Sequence, residues 1–346
     1  MASFKQNQVL EYIRTHPSLS SKEIHEGMEE AMGYSTLKRI LSDLQVEQVV
    51  ITEGAGKATR YKCGPASQLF FPIDMEQYFK KEIDERDILP GFSQDLIMKV
   101  LPTTALFTIE EMKFMWELQE RYDRKLKQIS ASLYQREMER LSIDLSWKSS
   151  QIEGNTYTLL ETERLLREKQ TAEGKTNMEA QMLLNHKKAI DLVLDGAPEI
   201  FPINRSKIEK IHSALVFGLG VESGIRTTGV GITGTNYKPP AYEQDVLRAL
   251  SQVCQIVNRR DNSFEKALIL LVLISYIQPF SDGNKRTARI VCNASLINDK
   301  HCPLSFRTTD SLTFKKAMLL FYEQNNISQM KKIFMEQYEF SVNTYF

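Results

Sequence analysis

The sequence predicts a mainly α-helical protein with two β-hairpins, one in a small N-terminal module and one inside a larger helical domain. Three observations carry this. Apolar residues recur at three- and four-residue spacing through most of the 346-residue chain. Capping-box pairs mark helix starts at Ser20/Glu23, Thr158/Glu161, Thr176/Glu179 and Ser206/Glu209. Glycine-rich, β-branched stretches interrupt that pattern near 46–62 and 221–240.

In the first module, Val9, Leu10 and Ile13 fall on one helical face, and that helix closes at His16-Pro17. Ser20 opens a second helix that runs through Met28. Ser35 or Thr36 caps a third, with Leu37, Ile40, Leu41 and Leu44 on one face. Residues 46–52 and 58–62 read as strands around the turn Gly54-Ala55-Gly56-Lys57. Three helices followed by a hairpin resemble a winged helix, here over residues 1–66. Lys38 and Arg39 start the would-be recognition helix, and Lys57, Arg60 and Lys62 sit on the wing. All are placed for contact with DNA phosphates. Glu23, Glu26, Glu29, Glu30 and Asp43 lie nearby, so a protein-interaction or homodimer module is the standing alternative.

Residues 67–108, with Pro72, Pro90 and Pro102, read as a linker with short helices. The helical domain spans 109–346. It begins with one long amphipathic stretch, 112–145. Gly154, Gly196 and Gly218 stand where helices should stop. Gly229 to Pro240 reads as the second hairpin. Helices follow at 242–260, 263–278, 284–298, 312–324 and 328–343.

Charge excludes little but points nowhere in bulk. Lys and Arg number 44 against 44 Asp and Glu, so no overall attraction to nucleic acid or an anionic membrane exists. The four cysteines are scattered without C-x-x-C spacing and read as reduced thiols. His301 and Cys302 are adjacent, but no second ligand pair accompanies them. The opening residues lack the apolar run of a signal peptide, and the most apolar run, 267–274, is far short of a membrane span. A cytoplasmic protein without membrane contact is expected.

The segment Gln278-Pro279-Phe280-Ser281-Asp282-Gly283-Asn284-Lys285-Arg286-Thr287-Ala288-Arg289 is the richest in chemistry. An apolar helix turns at Asp-Gly-Asn and enters a second helix. Unpaired N–H groups and the helix dipole there favour an anion. Arg286 and Arg289, three apart, can reach one polyphosphate. Asp282 has the chemistry to hold Mg²⁺ against phosphate oxygens. Gly283 permits close backbone approach.

This stretch resembles the signature of the Fic/Doc family, H-x-F-x-D/E-G-N-G-R-x-x-R, at Phe280, Asp282, Gly283, Asn284, Arg286 and Arg289. Ser149-x-x-x-Glu153-Gly154 resembles the family's inhibitory motif, and 229–240 resembles its flap. The likeness covers roughly residues 100–346. It implies a Fic-type helical domain that transfers AMP from ATP to a protein hydroxyl. Asp282 would hold Mg²⁺, and Gly283, Asn284 and Lys285 would form the anion hole. Thr287 belongs to the same nucleotide-binding turn, and Arg286 and Arg289 would contact the phosphates. Thr233, Gly234 and Tyr237 would belong to the flap that docks the protein target as an added strand. Glu153, with Ser149, would restrain Arg289. Two positions depart from the pattern. The family's general-base histidine falls at Gln278, whose neutral amide accepts no proton near neutral pH. Lys285 replaces a glycine, and Asn-Lys-Arg-Thr is closer to the Doc branch, which transfers a γ-phosphoryl group. Three readings therefore stand: a weakened adenylyltransferase, a catalytically silent nucleotide-binding regulator acting through the winged helix, and a Doc-like phosphotransferase. No histidine is near the loop in sequence, and whether His186 or His212 approaches in space is left to the fold.

Overall fold

The computed structural model describes residues 4–28 and 32–346. Three helices, α1 (Phe4–Thr15), α2 (Ser21–Gly27) and α3 (Tyr34–Val46), precede strands β1 (Val50–Glu53) and β2 (Arg60–Cys63). The strands pair antiparallel with Val50 opposite Cys63. Val9, Ile13, Ile24, Leu37, Leu41 and Val50 fill a core of their own. Ser20 closes the expected capping box with Glu23. The third helix differs at its start: Gly33 is its N-cap and no side chain caps it. The strands also begin later than periodicity suggests, because the turn after α3 takes 47–49. Glu29 and Glu30 lie outside the described residues.

Two short helices, α4 (Ser67–Phe70) and α5 (Met75–Tyr78), lead into the helical domain. Its helices are α6 (Ile109–Leu126), α7 (Ala131–Ile152), α8 (Leu159–Glu168), α9 (Asn177–Ile200), α10 (Arg205–Val216), α11 (Glu243–Arg259), α12 (Ser263–Ile277), α13 (Asn284–Asn298), α14 (Ser311–Gln324) and α15 (Ser328–Tyr345). The core centres on α12, where every residue but Lys266 is buried. Its hydrophobic run is a central helix wrapped by α11, α13, α14 and α15. None of the described helices is long and apolar enough to cross a membrane.

Several local expectations are corrected. The stretch 112–145 is two helices, not one: Thr108 and Glu111 form a capping box for α6, and Ser130 accepts the Leu133 N–H to start α7. Asn204, not Ser206, caps α10. Gly196 kinks α9 with a non-helical φ of −122° but does not end it. The segment 229–240 makes a turn at Thr233–Gly234 and then runs extended, without a strand ladder. Its Gly234 and Pro240 carbonyls accept from arginine side chains and its Lys238 carbonyl from Phe92 N–H.

Candidate active site: the α12–α13 turn

The apolar helix α12 ends because Gln278 adopts a left-handed conformation, φ 51° and ψ 60°, with its N–H on Ile274 O at 3.1 Å. The chain then folds back through residues 279–283. Asn284 holds the turn: its Oδ1 accepts Phe280 N–H at 2.8 Å, and its Nδ2 donates to Phe280 O and to Gln278 Oε1 at 2.9 Å. Gln278 Nε2 donates to Ser275 O at 2.6 Å. Both ends of the Gln278 amide are thus engaged.

Gly283 is the N-cap of α13 at φ +78°, and no side chain caps the helix. A Cβ there would strain the backbone and crowd Val216 Cγ1 at 3.1 Å. The first intrahelical bond is Thr287 N–H to Gly283 O at 2.9 Å. The N–H groups of Asn284, Lys285 and Arg286 precede it and face out of the helix start. Asp282, at the rim, keeps a side chain 66% exposed, although it accepts Gly283 N–H and reaches Arg286 Nη2 at 3.2 Å. Its carboxylate suits a Mg²⁺ carried by phosphates. Among the described residues no cluster of three potential metal ligands exists to cage an ion outright.

Arg289 is wholly buried. Its Nη2 donates to Glu153 Oε1 at 2.8 Å and to Ser149 O at 2.9 Å, and its Nε donates to Ser149 Oγ at 2.7 Å. Lys285 Nζ meets the other oxygen, Glu153 Oε2, at 3.0 Å. Glu153, the C-cap of α7, therefore bridges two cations of α13. Burial opposes its charge, but Arg289 and Lys285 outweigh that and bring its carboxyl down to about 2. Arg286 Nη1 and Arg289 Nη1 are buried donors without a partner. Phosphate oxygens are the chemistry that would satisfy them.

Residues 202–296 match the Fic/DOC family, and residues 2–96 match the penicillinase repressor family. The chain carries a Fic/DOC-family domain. It is 28% identical over 178 residues to the protein adenylyltransferase Fic of Nematostella vectensis, a stretch that covers 47% of this chain and 39% of that protein. The fold is similar to a segment of Fic-1 from C. elegans, with a TM-score of 0.60 at 18% identity over 68% of this chain and 72% of that one. A Fic family protein from Desulfovibrio desulfuricans gives 0.58 at 20% identity over 69% and 74%. These structural likenesses establish the helical fold, and the repressor match establishes the winged-helix module.

Around the Fic loop lie residues that no sequence motif exposed. His212 Nε2–H donates to Asp282 O at 2.9 Å while its ring stacks on Phe280 at 3.7 Å. Burial pulls its pKa down to about 4. His186, fully buried, meets Ser149 Oγ at 2.6 Å, and burial with the nearby Arg289 and Arg286 holds it well below the usual range. His212 touches the loop itself, whereas His186 is linked to Arg289 only through Ser149. Arg226 fans its guanidinium onto Gln278 O at 2.5 Å, Thr228 O at 2.7 Å and Pro240 O at 2.6 Å. That single side chain ties the flap to the turn. Tyr237 also points inward, its hydroxyl on Tyr276 O at 2.9 Å and its ring stacked on Tyr276. It anchors the flap, whereas Thr233 is exposed at the tip. Arg86 donates to Gly234 O at 2.7 Å, so the linker buttresses the flap from the other side. Asn284 and Thr287 turn their side chains into the protein and offer the site only backbone.

On the winged helix, Lys38, Arg39 and Lys57 are exposed. Arg60 faces Glu23 at 3.9 Å, and Lys62 pairs with Glu53. Two of the wing's three cations thus already have acidic neighbours.

Proposed function

We propose that the Fic domain binds ATP with Mg²⁺ at the start of α13 and transfers AMP to a hydroxyl side chain of a target protein. Glu153 restrains the reaction, and Gln278 limits it. The bridge from Glu153 to Arg289 and Lys285 carries this reading. A carboxylate sits where it neutralises the two cations a polyphosphate would need, and two further arginine donors stay buried without partners. Asp282 would hold Mg²⁺, which would offset phosphate charge when bound. The N–H groups of Asn284–Arg286 would receive phosphate oxygens. Arg286 and Arg289 would bind the phosphates once Glu153 lets go. The exposed turn at Thr233–Gly234 would dock the target's extended backbone.

One observation favours a second reading. The Gln278 amide is fixed at both ends and holds no proton-accepting nitrogen, which suits a silent nucleotide sensor whose output is the winged helix on DNA. Labelled ATP separates the alternatives. With the Glu153→Gly variant, α-label on protein is the expected result. A γ-label alone would indicate the Doc-like phosphotransfer, and calorimetric ATP binding without any label would leave the silent regulator.

A further inference from the structure

We propose that the cavity between the winged helix and the helical domain binds an apolar amine, with Glu47 as the partner of its ammonium group. The cavity measures about 650 Å³ and lies where small-molecule sites concentrate, at a junction between modules. Helices α1 and α3 contribute to it from the winged helix, α6 and α15 from the helical domain, and residues 70–74 from the linker. Leu10, Leu44, Val49, Phe70, Phe107 and Phe114 give it an apolar lining. An occupant would touch both modules at once.

The charges in this lining select the ligand. Its two ammonium groups are already matched: Lys331 Nζ lies 2.6 Å from Glu111 Oε2, and Lys332 Nζ lies 3.9 Å from Glu336 Oε1. Three carboxylates remain, those of Glu47, Asp74 and Glu339. Asp74 caps α5, and Glu339 is exposed to water. Glu47 has neither outlet. It is half-buried at the end of α3, and among the described residues its carboxylate makes no hydrogen bond or salt bridge. Burial opposes its charge, Lys331 offsets that only through space, and Glu111, Asp43 and Glu110 repel it. A ligand ammonium relieves the burial and the repulsion together. The lining also shows how a cation rests against it: Lys331 Nζ is 5.1 Å from the Phe70 ring centroid and 5.8 Å from that of Phe107. Ring faces of this kind attract a ligand ammonium in the same way. An anion would meet carboxylates without a matching cation, and a neutral apolar molecule would only deepen the burial of Glu47.

The test is calorimetry on the full chain with two amine probes, tryptamine and octylamine. Two relatives of tryptamine serve as controls: 3-ethylindole, which has no charge, and indole-3-propionate, which carries a carboxylate. Saturable binding of at least one amine is expected, with both controls binding more weakly than tryptamine. Glu47→Gln keeps the shape of the side chain and should weaken amine binding by about 10-fold or more, as the loss of a charge-assisted hydrogen bond does. The same variant should melt at a higher temperature than wild type, because it loses a desolvated charge and no contact. That pair of changes separates a ligand-binding role from a structural one. Tryptamine and 3-ethylindole binding equally, or undiminished amine binding by Glu47→Gln, would overturn the assignment of Glu47. A lower melting temperature in that variant would make Glu47 a structural residue and overturn it as well. No saturable binding of either amine at millimolar concentration would overturn the site itself.

Discussion

Glu153 holds Arg289 and Lys285 on separate oxygens, so releasing the proposed nucleotide site would mean breaking two charged contacts. Removing the carboxylate in Glu153→Gly should tighten ATP binding by between about 5- and 150-fold, the span of ordinary site-to-site coupling. Lys285→Gly breaks one contact and should give a smaller gain, unless Lys285 itself binds phosphate, in which case affinity falls. Calorimetry with ATP reads both variants. Because the Glu153 carboxyl lies at about 2, the restraint should be insensitive to pH from about 5 to 8. Stability is another matter. His212, at about 4 when folded and near 6.5 when unfolded, binds fewer protons in the native state between those values. Its contribution is full above about pH 6.5 and is lost as pH falls towards 4. Urea unfolding at about pH 7.5 and about pH 5 should differ by about 2 kcal/mol from His212 alone, and His212→Gln should shrink the difference. The Glu153–Arg289 pairing was legible in sequence because motif spacing encodes it. The histidines were not, since only tertiary packing brings α9 and α10 behind the loop.

At the scale of elements, the site depends on how one turn and one flap are held together. Arg226 satisfies three carbonyls with one buried fork, linking residues 228, 240 and 278. Truncating it in Arg226→Ala strands those carbonyls, each worth about 1–3 kcal/mol when buried and unpaired. Denaturant unfolding should therefore show a loss of at least about 3 kcal/mol. Arg226→Lys should recover little of it, because an ammonium cannot reproduce the fork. A loss under about 1 kcal/mol would mean that water replaces the guanidinium and that the flap is not tied through it. This tie also explains which elements the sequence revealed. Helices α12 and α13 were readable almost to the residue, because apolar run, turn chemistry and helix start are all local. The flap was expected as a hairpin because glycine and β-branched residues favour one. Instead its Pro240 carbonyl finds Arg226, and its Gly234 carbonyl finds Arg86, 148 positions away. Likewise, the break between α6 and α7 rests on the Ser130 cap inside an otherwise continuous amphipathic pattern.

For the whole molecule, the question is what the winged helix contributes beside the Fic domain. The linker is part of the body: Ile327 N–H bonds to Leu69 O at 2.9 Å, and Asn326 Nδ2 to Phe71 O at 2.6 Å. Phe70 packs against both cores. Sequence reading left 67–108 as connecting turns because these partners lie some 250 positions away. If the winged helix takes duplex DNA, the exposed cations Lys38, Arg39 and Lys57 are the groups placed for its phosphates. Phosphate contact has a specific signature, since each one releases counterions and steepens the fall of affinity with salt. Lys38→Ala and Arg39→Ala should each weaken duplex binding and lower the slope of log affinity against log salt by about one. Arg60→Ala should change it less, because Glu23 already neutralises part of that charge. Fluorescence anisotropy across a salt series measures all three slopes. Binding whose slope is the same in wild type and variants would exclude the α3 face and leave the module as a protein-interaction or dimer surface.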